Sequence, residues 1–339
     1  MKTALITGIS GQDGSYLAEF LLTKKYRIIG TDRRSSRNEM WRLRYLGIDQ
    51  KVIIEDMELN EQSEIDRLFK KYNFDEVYNL AAQSFVATSF SSPINTSDVT
   101  ALGCLRILEA IRNRNKKIKF YQASSSEMFG KVLSTPQNEK TAFNPQSPYA
   151  VAKTFAHYIT KNYRTSYNLF AVCGILFNHE SPLRGSEFIT RKITSSLAKI
   201  ALNQLNYVEV GNIYAKRDWG YAKEYVQAMW KMLQKKKPDD YVISTGKTYS
   251  IKEFINLGTK FLGWETKWIG KGLNEKLINL KNNKTIVKIN KKFYRPAEVN
   301  FLKGDSTKAR NLLKWKNKTS LKELIEIMIK SDLKLYSKF

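Results

Sequence analysis

Short apolar runs alternate with amphipathic stretches along the first half of this chain, and no other feature of the sequence limits its possible folds as strongly. Residues 3–7, 27–31 and 77–80 have the length and composition of buried strands. Residues 63–72 and 97–113 carry apolar side chains at helical spacing. Because parallel strands are joined by crossover helices, repeated alternation of this kind predicts an α/β fold built on a doubly wound parallel sheet.

The glycines near the start of the chain refine this expectation. Gly8, Gly11 and Gly14 follow the first predicted strand and open the first predicted helix. Such a loop lets backbone approach a pyrophosphate, and the helix N-terminus offers unpaired N–H groups to the phosphates. The spacing is Gly-x-x-Gly-x-x-Gly, not Gly-x-Gly-x-x-Gly, and a plain glycine-rich turn is the alternative. The strand–helix context favours a Rossmann-type dinucleotide site, which would include Gln12 and Asp13.

The end of the second strand bears on the choice between NAD and NADP. Asp32 stands where a carboxylate would accept hydrogen bonds from the ribose hydroxyls of NAD. Arg33, Arg34 and Ser35 follow at once, and arginines with a serine can hold the 2′-phosphate of NADP. The two signals conflict. The adjacent arginines favour NADP, and NAD remains the alternative because of Asp32.

Further cofactor contacts are expected where the third and fourth strands end. Asp56 and Met57 close the third strand, where a side chain could meet the adenine. The fourth strand ends in a segment with small residues, where a cofactor must lie close to the backbone: Leu80, Ala81, Ala82, Gln83 and Ser84. For each segment, a buried strand end without a binding role is the alternative.

The alternation becomes irregular after residue 177, which predicts a smaller mixed α/β lobe in the C-terminal half. We expect residues 1–177, joined by parts of 211–245, to form an NADP-binding Rossmann domain. Residues 178–210 and 246–339 would form a substrate lobe over the carboxyl edge of the sheet, where such folds bind ligands. The elements expected in this lobe are helices at 188–201 and 320–333 and a loop or weak hairpin at 273–292.

Tyr149 and Lys153 are the most informative pair for chemistry. Residues four apart on a helix share a face. A phenol is a poor base at neutral pH unless a nearby cation stabilises the phenolate, and Lys153 is placed to supply that cation. A Tyr-x-x-x-Lys spacing is common by chance, so this interpretation depends on the glycine loop in the same half of the chain.

Ser125 and Glu127, at the end of the fifth predicted strand, add to this site. Ser125 can hydrogen-bond a substrate hydroxyl while Tyr149 removes its proton. Glu127 is more distinctive, because a simple dehydrogenase or 4-epimerase has no need of a carboxylate here. An enzyme that removes a proton next to a newly formed ketone does need one. The alternative for Glu127 is a surface residue that caps the next turn.

The composition bears on partners and compartment. The formal charge of +25 raises nucleic acid as a partner, but the lysines occur as scattered pairs and triplets without aromatic interleaving. We therefore expect no nucleic-acid role, and an anionic nucleotide substrate would still be attracted. Cys104 and Cys173 have neither metal-type nor redox-type spacing, and no metal site or membrane span is expected. These features favour a cytoplasmic protein.

Taken together, these residues resemble the GDP-mannose 4,6-dehydratase family, a branch of the extended short-chain dehydrogenases/reductases. The resemblance runs essentially from end to end, and its most specific parts are Phe-Asn-His-Glu-Ser-Pro at 177–182 and Ala-Lys-Arg-Asp-Trp at 215–219. The other matching segments are 8–21, 79–84, 121–130, 145–153, 174–185 and 294–298.

The resemblance implies a hydro-lyase that converts GDP-mannose to GDP-4-keto-6-deoxymannose through bound NADP. In that family's mechanism Tyr149 would be the base, Lys153 its partner and Glu127 the group that handles the carbon-bound proton. Ser125 stands where the family typically has threonine, and its hydroxyl can keep the role. His179 and Arg184 would lie by the cofactor.

The resemblance also implies a substrate site and an assembly. Five residues would line the GDP-sugar site together with Ser84, Ser125 and Glu127: Asn178, Lys192, Arg217, Arg295 and Glu298. A homodimer or homotetramer would form through a helical face containing Leu102, Leu105, Phe155 and Tyr158, and the 33–41 loop would reach a neighbouring subunit. Without the surrounding motifs, surface ion pairs would be the better interpretation of Arg217 and Arg295.

Two other functions remain as alternatives. The first is a 4,6-dehydratase of another GDP-sugar, such as a GDP-manno-heptose, because no motif identifies the residues around sugar carbon 6. The second belongs to a different class, namely a non-catalytic protein that binds a nucleotide-sugar or RNA. The complete set Ser125, Glu127, Tyr149 and Lys153 argues against the second alternative.

Overall fold

The computed structural model describes residues 1–36, 39–132, 134–294, 299 and 301–337. In this part of the chain the strands are β1 (Thr3–Thr7), β2 (Arg27–Asp32), β3 (Ile53–Asp56), β4 (Glu76–Asn79), β5 (Lys119–Ser125), β6 (Ala171–Leu176), β7 (Asn178–Glu180), β8 (Val208–Val210), β9 (Lys216–Arg217), β10 (Trp219–Tyr221), β11 (Asp240–Ile243), β12 (Tyr249–Ser250), β13 (Thr266–Ile269), β14 (Lys276–Asn279) and β15 (Thr285–Ile289).

The helices of the same part of the chain are α1 (Gln12–Thr23), α2 (Trp41–Tyr45), α3 (Gln62–Lys71), α4 (Val86–Ser91), α5 (Pro93–Ser97), α6 (Gly103–Arg114), α7 (Pro148–Ser166), α8 (Ile189–Ala201), α9 (Ala222–Leu233), α10 (Ile251–Phe261), α11 (Thr307–Leu313) and α12 (Leu321–Tyr336). Among these helices, none combines the length and the apolar character that a membrane crossing requires.

A seven-stranded sheet with the order β11-β6-β5-β4-β1-β2-β3 forms the centre of the molecule. All of its neighbouring strands are parallel. Strand β1 lies between β2 and β4, so the direction of winding reverses beside β1. Ligands of such sheets bind at the carboxyl ends of the strands at this reversal point. The predicted Rossmann-type doubly wound parallel sheet is therefore confirmed.

Each face of the sheet is covered by helices with an apolar side. On one face, α1 and α9 pack together and contribute Leu17, Leu21 and Met229 to the core. On the other face, α3, α6 and α7 contribute residues such as Leu68 and Ile107. Burial on both faces explains why the central strands read as continuous apolar runs in the sequence.

The C-terminal lobe has a core of its own, formed by a four-stranded sheet and the helices α8, α10 and α12. The sheet order is β13-β14-β15-β8, in which β14 and β15 form an antiparallel hairpin inside the predicted 273–292 segment. Strand β8 adds in parallel to β15 from about 80 residues earlier in the chain. Local sequence pattern does not indicate that pairing, because β8 has only three residues and its partner lies far along the chain.

Two parts of the second half pack on the central sheet instead of within the lobe. Strand β11 is the edge strand beside β6, and α9 lies against β5 and β6. Helix α11, in the segment that we grouped with the lobe, contacts α9 and β11. The residues Ala309, Leu313 and Trp315 there belong to the same core as α1. The second half of the chain therefore passes several times between the central sheet with its helices and the C-terminal lobe.

Candidate active site

The glycine loop after β1 has the geometry of a phosphate-binding turn. Gly8 has φ +68°, and a Cβ at this position would lie 2.9 Å from the Cα of Ala81. A side chain would therefore be strained and would clash. Gly11 is the N-cap of α1 and provides no side-chain cap, which leaves the first N–H groups of the helix available to an anion. Gly8 and Gly11 line an adjoining cavity of about 400 Å³.

Most of the predicted cofactor residues lie in this cavity or in an adjoining one of about 130 Å³. The first cavity is lined by Gly8, Gly11, Arg33, Met57, Leu80, Ala81, Ala82, Gln83 and Ser84. The second is lined by Asp13, Leu80, Ala82, Ser84, Tyr149, Lys153, His179 and Arg184. Among the described residues that line either cavity, Gln12, Gly14, Arg34, Ser35 and Asp56 do not occur.

The residues outside the cavities have other contacts. The buried Gln12 amide donates to the His179 carbonyl at 3.1 Å and accepts from the Ser181 hydroxyl at 2.7 Å. Gly14 allows close packing, because a Cβ there would lie 2.6 Å from the Cα of Ile9. Gln12 and Gly14 therefore hold the loop and helix in place.

At the adenosine end of the predicted cofactor site, Asp32, which favours NAD, and Arg33, which favours NADP, both line the 400 Å³ cavity. The Oδ1 atom of Asp32 accepts from the Arg33 N–H at 3.0 Å. The Oδ2 atom is buried and has no hydrogen-bond partner within the described residues. Asp32 and Arg33 both line the cavity, whereas Arg34 and Ser35 are exposed beside it.

The end of β5 and the start of α7 bring the four predicted catalytic side chains together. Ser125 caps a short 3₁₀ turn, and its hydroxyl accepts from the Glu127 N–H at 3.2 Å. Helix α7 begins at Pro148, where a missing N–H costs nothing, and the Ser147 hydroxyl caps it. This start places Tyr149 and Lys153 in the first two turns, facing the strand. Ser125, Glu127 and Tyr149 line both the 130 Å³ cavity and a larger one of about 640 Å³.

Burial sets the protonation of the Tyr149 and Lys153 pair. It raises the pKa of Tyr149 to about 12, while the Ser125 hydroxyl lowers this pKa and the charge of Glu127 raises it. Burial lowers the pKa of Lys153 to about 8. The Lys153 ammonium donates to the Ala123 carbonyl at 2.7 Å and lies 5.9 Å from the centre of the Tyr149 ring. Lys153 is thus still mostly charged at neutral pH, as its predicted role requires.

A second polar cluster at the same sheet edge is centred on His179. Its Nδ1 atom lies 2.8 Å from the Phe177 carbonyl, and its Nε2 atom lies 2.7 Å from Asp13 Oδ2. Both partners accept, so both ring nitrogens donate and the ring is an imidazolium. Burial opposes each charge, but the mutual attraction outweighs it: the pKa of His179 is raised and that of Asp13 is lowered. Tyr225 stacks on the imidazole at 4.7 Å.

The 640 Å³ cavity lies between the sheet edge and the lobe, and it holds the predicted substrate residues that the structure describes. Its lining includes Ser84, Ser125, Glu127, Asn178, Lys192 and Arg217. The Lys192 ammonium lies 3.4 Å from the centre of the Phe293 ring. Arg217 is only 7% exposed, so it is not the surface residue that the alternative interpretation, an ordinary surface ion pair, requires. Arg295 and Glu298 lie outside the described residues.

Sequence reasoning missed several residues of this cavity. They are Phe85, Glu187, Gly211, Asn212, Lys292 and Phe293. Phe85 follows the predicted cofactor segment directly, and that adjacency was a usable signal. Gly211 has a steric role, since a Cβ there would lie 2.5 Å from the Phe293 carbonyl oxygen. No local motif indicated residues 290–293, which tertiary packing brings to the cavity.

A buried group of His157, Cys173 and Asp240 has the composition of a metal site but is already paired. Asp240 accepts from Arg164 and also lies near Lys161. The Ser124 hydroxyl lies 3.0 Å from His157 Nδ1. Burial lowers the pKa of His157 to about 4 and raises that of the Cys173 thiol. Two cations beside the carboxylate disfavour an additional metal ion.

Comparison with known proteins agrees with the geometry. The sequence profile of the family described as GDP-mannose 4,6 dehydratase matches residues 5–328. A GDP-mannose 4,6 dehydratase from Drosophila melanogaster is 48% identical over 99% of this chain and 87% of its own length. A GDP-mannose 4,6 dehydratase from Homo sapiens is 47% identical over 98% of this chain and 92% of its own length.

Among solved structures, a UDP-glucose 4-epimerase from Thermotoga maritima superposes with a TM-score of 0.83. At 21% identity it covers 98% of this chain and 99% of its own. This likeness supports the fold, and the sequence relatives confirm the resemblance that the motifs indicated.

Proposed function

The chain belongs to the GDP-mannose 4,6-dehydratase family, and on this premise we propose that it converts GDP-mannose to GDP-4-keto-6-deoxymannose and water. The observation that carries the proposal is the position of Ser125, Glu127 and Tyr149. These three side chains lie at the junction of the 130 Å³ and 640 Å³ cavities, where a sugar would meet a cofactor. A carboxylate at this junction is what a dehydratase needs beyond the machinery of a dehydrogenase.

Each side chain has one role in the proposed reaction. Tyr149 takes the proton from the hydroxyl on sugar carbon 4 while Ser125 hydrogen-bonds that hydroxyl. The charge of Lys153 favours the phenolate. A ketone on carbon 4 makes the proton on carbon 5 acidic. Glu127 removes this proton and passes it to the hydroxyl on carbon 6, which leaves as water, and carbon 5 regains a proton from solvent when the hydride reaches carbon 6. The chemistry that a bound nicotinamide supplies is hydride transfer from carbon 4 and back to carbon 6.

The glycine loop and the adenosine end fit a nicotinamide dinucleotide. The missing Cβ of Gly8 and the open N-terminus of α1 suit a pyrophosphate, and the unpartnered Asp32 Oδ2 suits a ribose hydroxyl. We propose NADP as the dinucleotide, because Arg33 lines the cavity next to Asp32 and is a suitable partner for a 2′-phosphate.

The cofactor proposal is tested by the cofactor that copurifies with the chain. We expect mainly NADP(H), and Arg33→Ala should weaken NADP at least about tenfold while leaving NAD nearly unchanged. Lys281→Gln, a charge removal on the hairpin of the lobe, is the control. Copurification of mostly NAD(H) would show that Asp32 determines the choice.

The basic residues of the large cavity support a diphosphate-linked substrate. Lys192 and Arg217 both line it, and both are wholly or partly buried, so their charges lie in a medium where attraction to phosphate is strong. We propose that they hold the diphosphate and that Asn178, whose Oδ1 is buried without a partner among the described residues, contacts the sugar.

The substrate proposal is tested by incubation with GDP-mannose and, separately, with GDP-manno-heptose. We expect GDP-mannose to give a product lighter by one water with no net change in reduced-cofactor absorbance. Preferential turnover of the heptose would support the other GDP-sugar. Binding of either compound without turnover would favour a non-catalytic protein.

We also propose assembly through the helical face of α6 and α7. Phe155 and Tyr158 of α7, and Leu102 in the helical turn just before α6, are each at least 39% exposed, whereas Leu105 is partly buried in the core. A two-fold face of this kind is the commonest mode of association. Light scattering should show a dimer or tetramer, and Phe155→Glu should dissociate it. A wild-type monomer at micromolar concentration would refute this proposal.

Because Cys104 and Cys173 are free and buried, we place the enzyme in a reducing cytoplasm.

A further inference from the structure

A second polar cavity shares Trp219 with the substrate cavity. Its volume is about 320 Å³, and Trp219 lines both. The wall is completed by three parts of the chain: the end of β11 with Ser244, the start of α11 with Arg310, and the segment before α12 with Lys316. We call it the basic cavity. It is separate from the groups that take part in the proposed reaction.

The charges around the basic cavity are those of an anion site. Lys247, Arg310, Lys316 and Lys318 line it, and no Asp or Glu occurs among its described lining residues. The N-terminus of α12, a helix of 16 residues, adds its positive end at Leu321.

Two of the nearest carboxylates are held by backbone N–H groups, and a third, that of Asp305, lies 3.6 Å from the Arg310 guanidinium and partly neutralises it. Asp218 accepts from the N–H groups of Thr245 and Gly246 at 2.8 Å each. Glu224 accepts from the N–H of Lys318 at 3.0 Å.

Two buried polar atoms of the wall have no hydrogen-bond partner within the described residues. The Oγ of Ser244 is one, and Ser244 is only 1% exposed. The Oδ1 of Asn317 is the other, while its Nδ2 donates to the Thr319 carbonyl. A buried polar group without a partner is costly. Both residues line the same cavity as the cations, so it has in its wall a hydroxyl that can donate and an amide oxygen that can accept.

We propose that the basic cavity binds a phosphate monoester of a small polyhydroxylated molecule, a sugar phosphate. Arg310 and Lys316 would hold the phosphate, and the Ser244 hydroxyl would donate to one of its oxygens. The Asn317 oxygen would accept from a ligand hydroxyl. Trp219 and Tyr249 supply apolar surface for the carbon skeleton. The volume exceeds what a phosphate ion alone would fill.

The test is calorimetric titration with glucose 6-phosphate as the probe. The protein is first saturated with NADPH and GDP, so that the phosphate-binding parts of the active site are filled. We expect saturable binding of glucose 6-phosphate at about one site per chain and none of glucose, because the phosphate supplies most of the attraction.

Three variants and a control locate the binding. Lys316→Gln and Arg310→Gln should each weaken glucose 6-phosphate at least about tenfold. Ser244→Ala should weaken it too, without lowering the unfolding temperature, because it removes a hydroxyl that has no hydrogen-bond partner in the described part of the chain. Lys281→Gln removes the same charge from the distant hairpin and should bind as the wild type does.

Three results would overturn the proposal. They are the absence of saturable heat with the wild type, equal binding of glucose and glucose 6-phosphate, and equal affinity of Lys316→Gln and Lys281→Gln. Lys316 is exposed and has no hydrogen bond or ion pair with the residues that the structure describes. This last comparison therefore stays informative even if Arg310→Gln, whose side chain also bonds Ser306 and Thr307, fails to fold.

Discussion

Two polar clusters lie at the carboxyl edge of the same sheet, and they differ in how fully their groups are paired. In the cluster around His179, the imidazole, the Asp13 carboxylate and the Gln12 amide are all bonded to one another or to backbone. In the cluster around Tyr149, no hydrogen bond engages the carboxylate of Glu127 within the described residues, and burial leaves Tyr149 with a raised pKa. Saturated pairing holds a structure in place, whereas unsaturated groups facing a cavity are available to a substrate.

The largest difference between the clusters should appear in turnover. Tyr149→Phe removes the proposed base and Glu127→Gln the group for carbon 5, and each should lower turnover at least about 10²-fold. Tyr149→Phe loses only the interaction of its hydroxyl with Ser125, and the Glu127 carboxylate has no hydrogen bond within the described residues. The free energy of unfolding should therefore change by about 1 kcal/mol or less. Steady-state kinetics and denaturant unfolding measure both quantities.

The two variants should also differ in kind. Glu127→Gln keeps the step at carbon 4 and should accumulate reduced cofactor with GDP-mannose, which absorbance reports. Tyr149→Phe should not. Dehydration at the wild-type rate by Glu127→Gln would contradict the role given to this carboxylate.

The next largest effect should be on stability, in the saturated cluster. His179→Gln leaves the Asp13 carboxylate without its cation and should cost about 3 kcal/mol. The pKa of His179 is raised above 6.5, so its contribution is full below that value and is lost as the pH rises through the folded pKa. The destabilisation should therefore be larger near about pH 5.5 than near about pH 9.

His157 is the matched control, since the chain has two histidines. Its pKa is lowered to about 4, so its neutral form stabilises the fold above 6.5 and that contribution is lost as the pH falls. Unfolding of His157→Gln should show the opposite dependence on pH. The same slope for both variants would mean that the ion pair of His179 and Asp13 does not act as described.

A smaller effect should appear in the pH profile of activity, where the titration of Lys153 in the Tyr149 cluster should be visible. The pKa of Lys153 is lowered to about 8, so its cation, and with it the support of the Tyr149 phenolate, is lost as the pH rises through that value. We expect kcat/KM to fall on the alkaline side near about pH 8. Lys153→Arg keeps the charge at higher pH, so in an active variant kcat/KM should begin to fall at a higher pH than in the wild type. If kcat/KM falls at the same pH in both, the titrating group is not Lys153.

The smallest effect should come from Ser125. Its hydroxyl caps the turn that carries Glu127 and also lowers the pKa of Tyr149. Ser125→Thr keeps the hydroxyl and should change turnover by less than about threefold, whereas Ser125→Ala should lower it about tenfold. Turnover of Ser125→Ala at the wild-type rate would show that the reaction does not need this hydroxyl.

Local patterns in the sequence were sufficient for the sheet, the glycine loop and the family. The strands are buried on both faces and therefore read as apolar runs, and Tyr149 and Lys153 are four residues apart on one helix. The same holds for Ser125 and Glu127, which share one turn. Each of these features depends on neighbours within a few residues, which is the range over which periodicity and capping carry information.

Only the tertiary structure decided which distant residues meet. His179 pairs with Asp13 across 166 positions, β8 joins β15, and Trp219 lines two cavities at once. Such contacts depend on how the whole chain packs, because the sequence pattern of a segment gives its own apolar face but not the partner that covers it. Motif and periodicity therefore led to the proposed reactive groups, and packing determined which polar groups of the described residues are paired and which line a cavity.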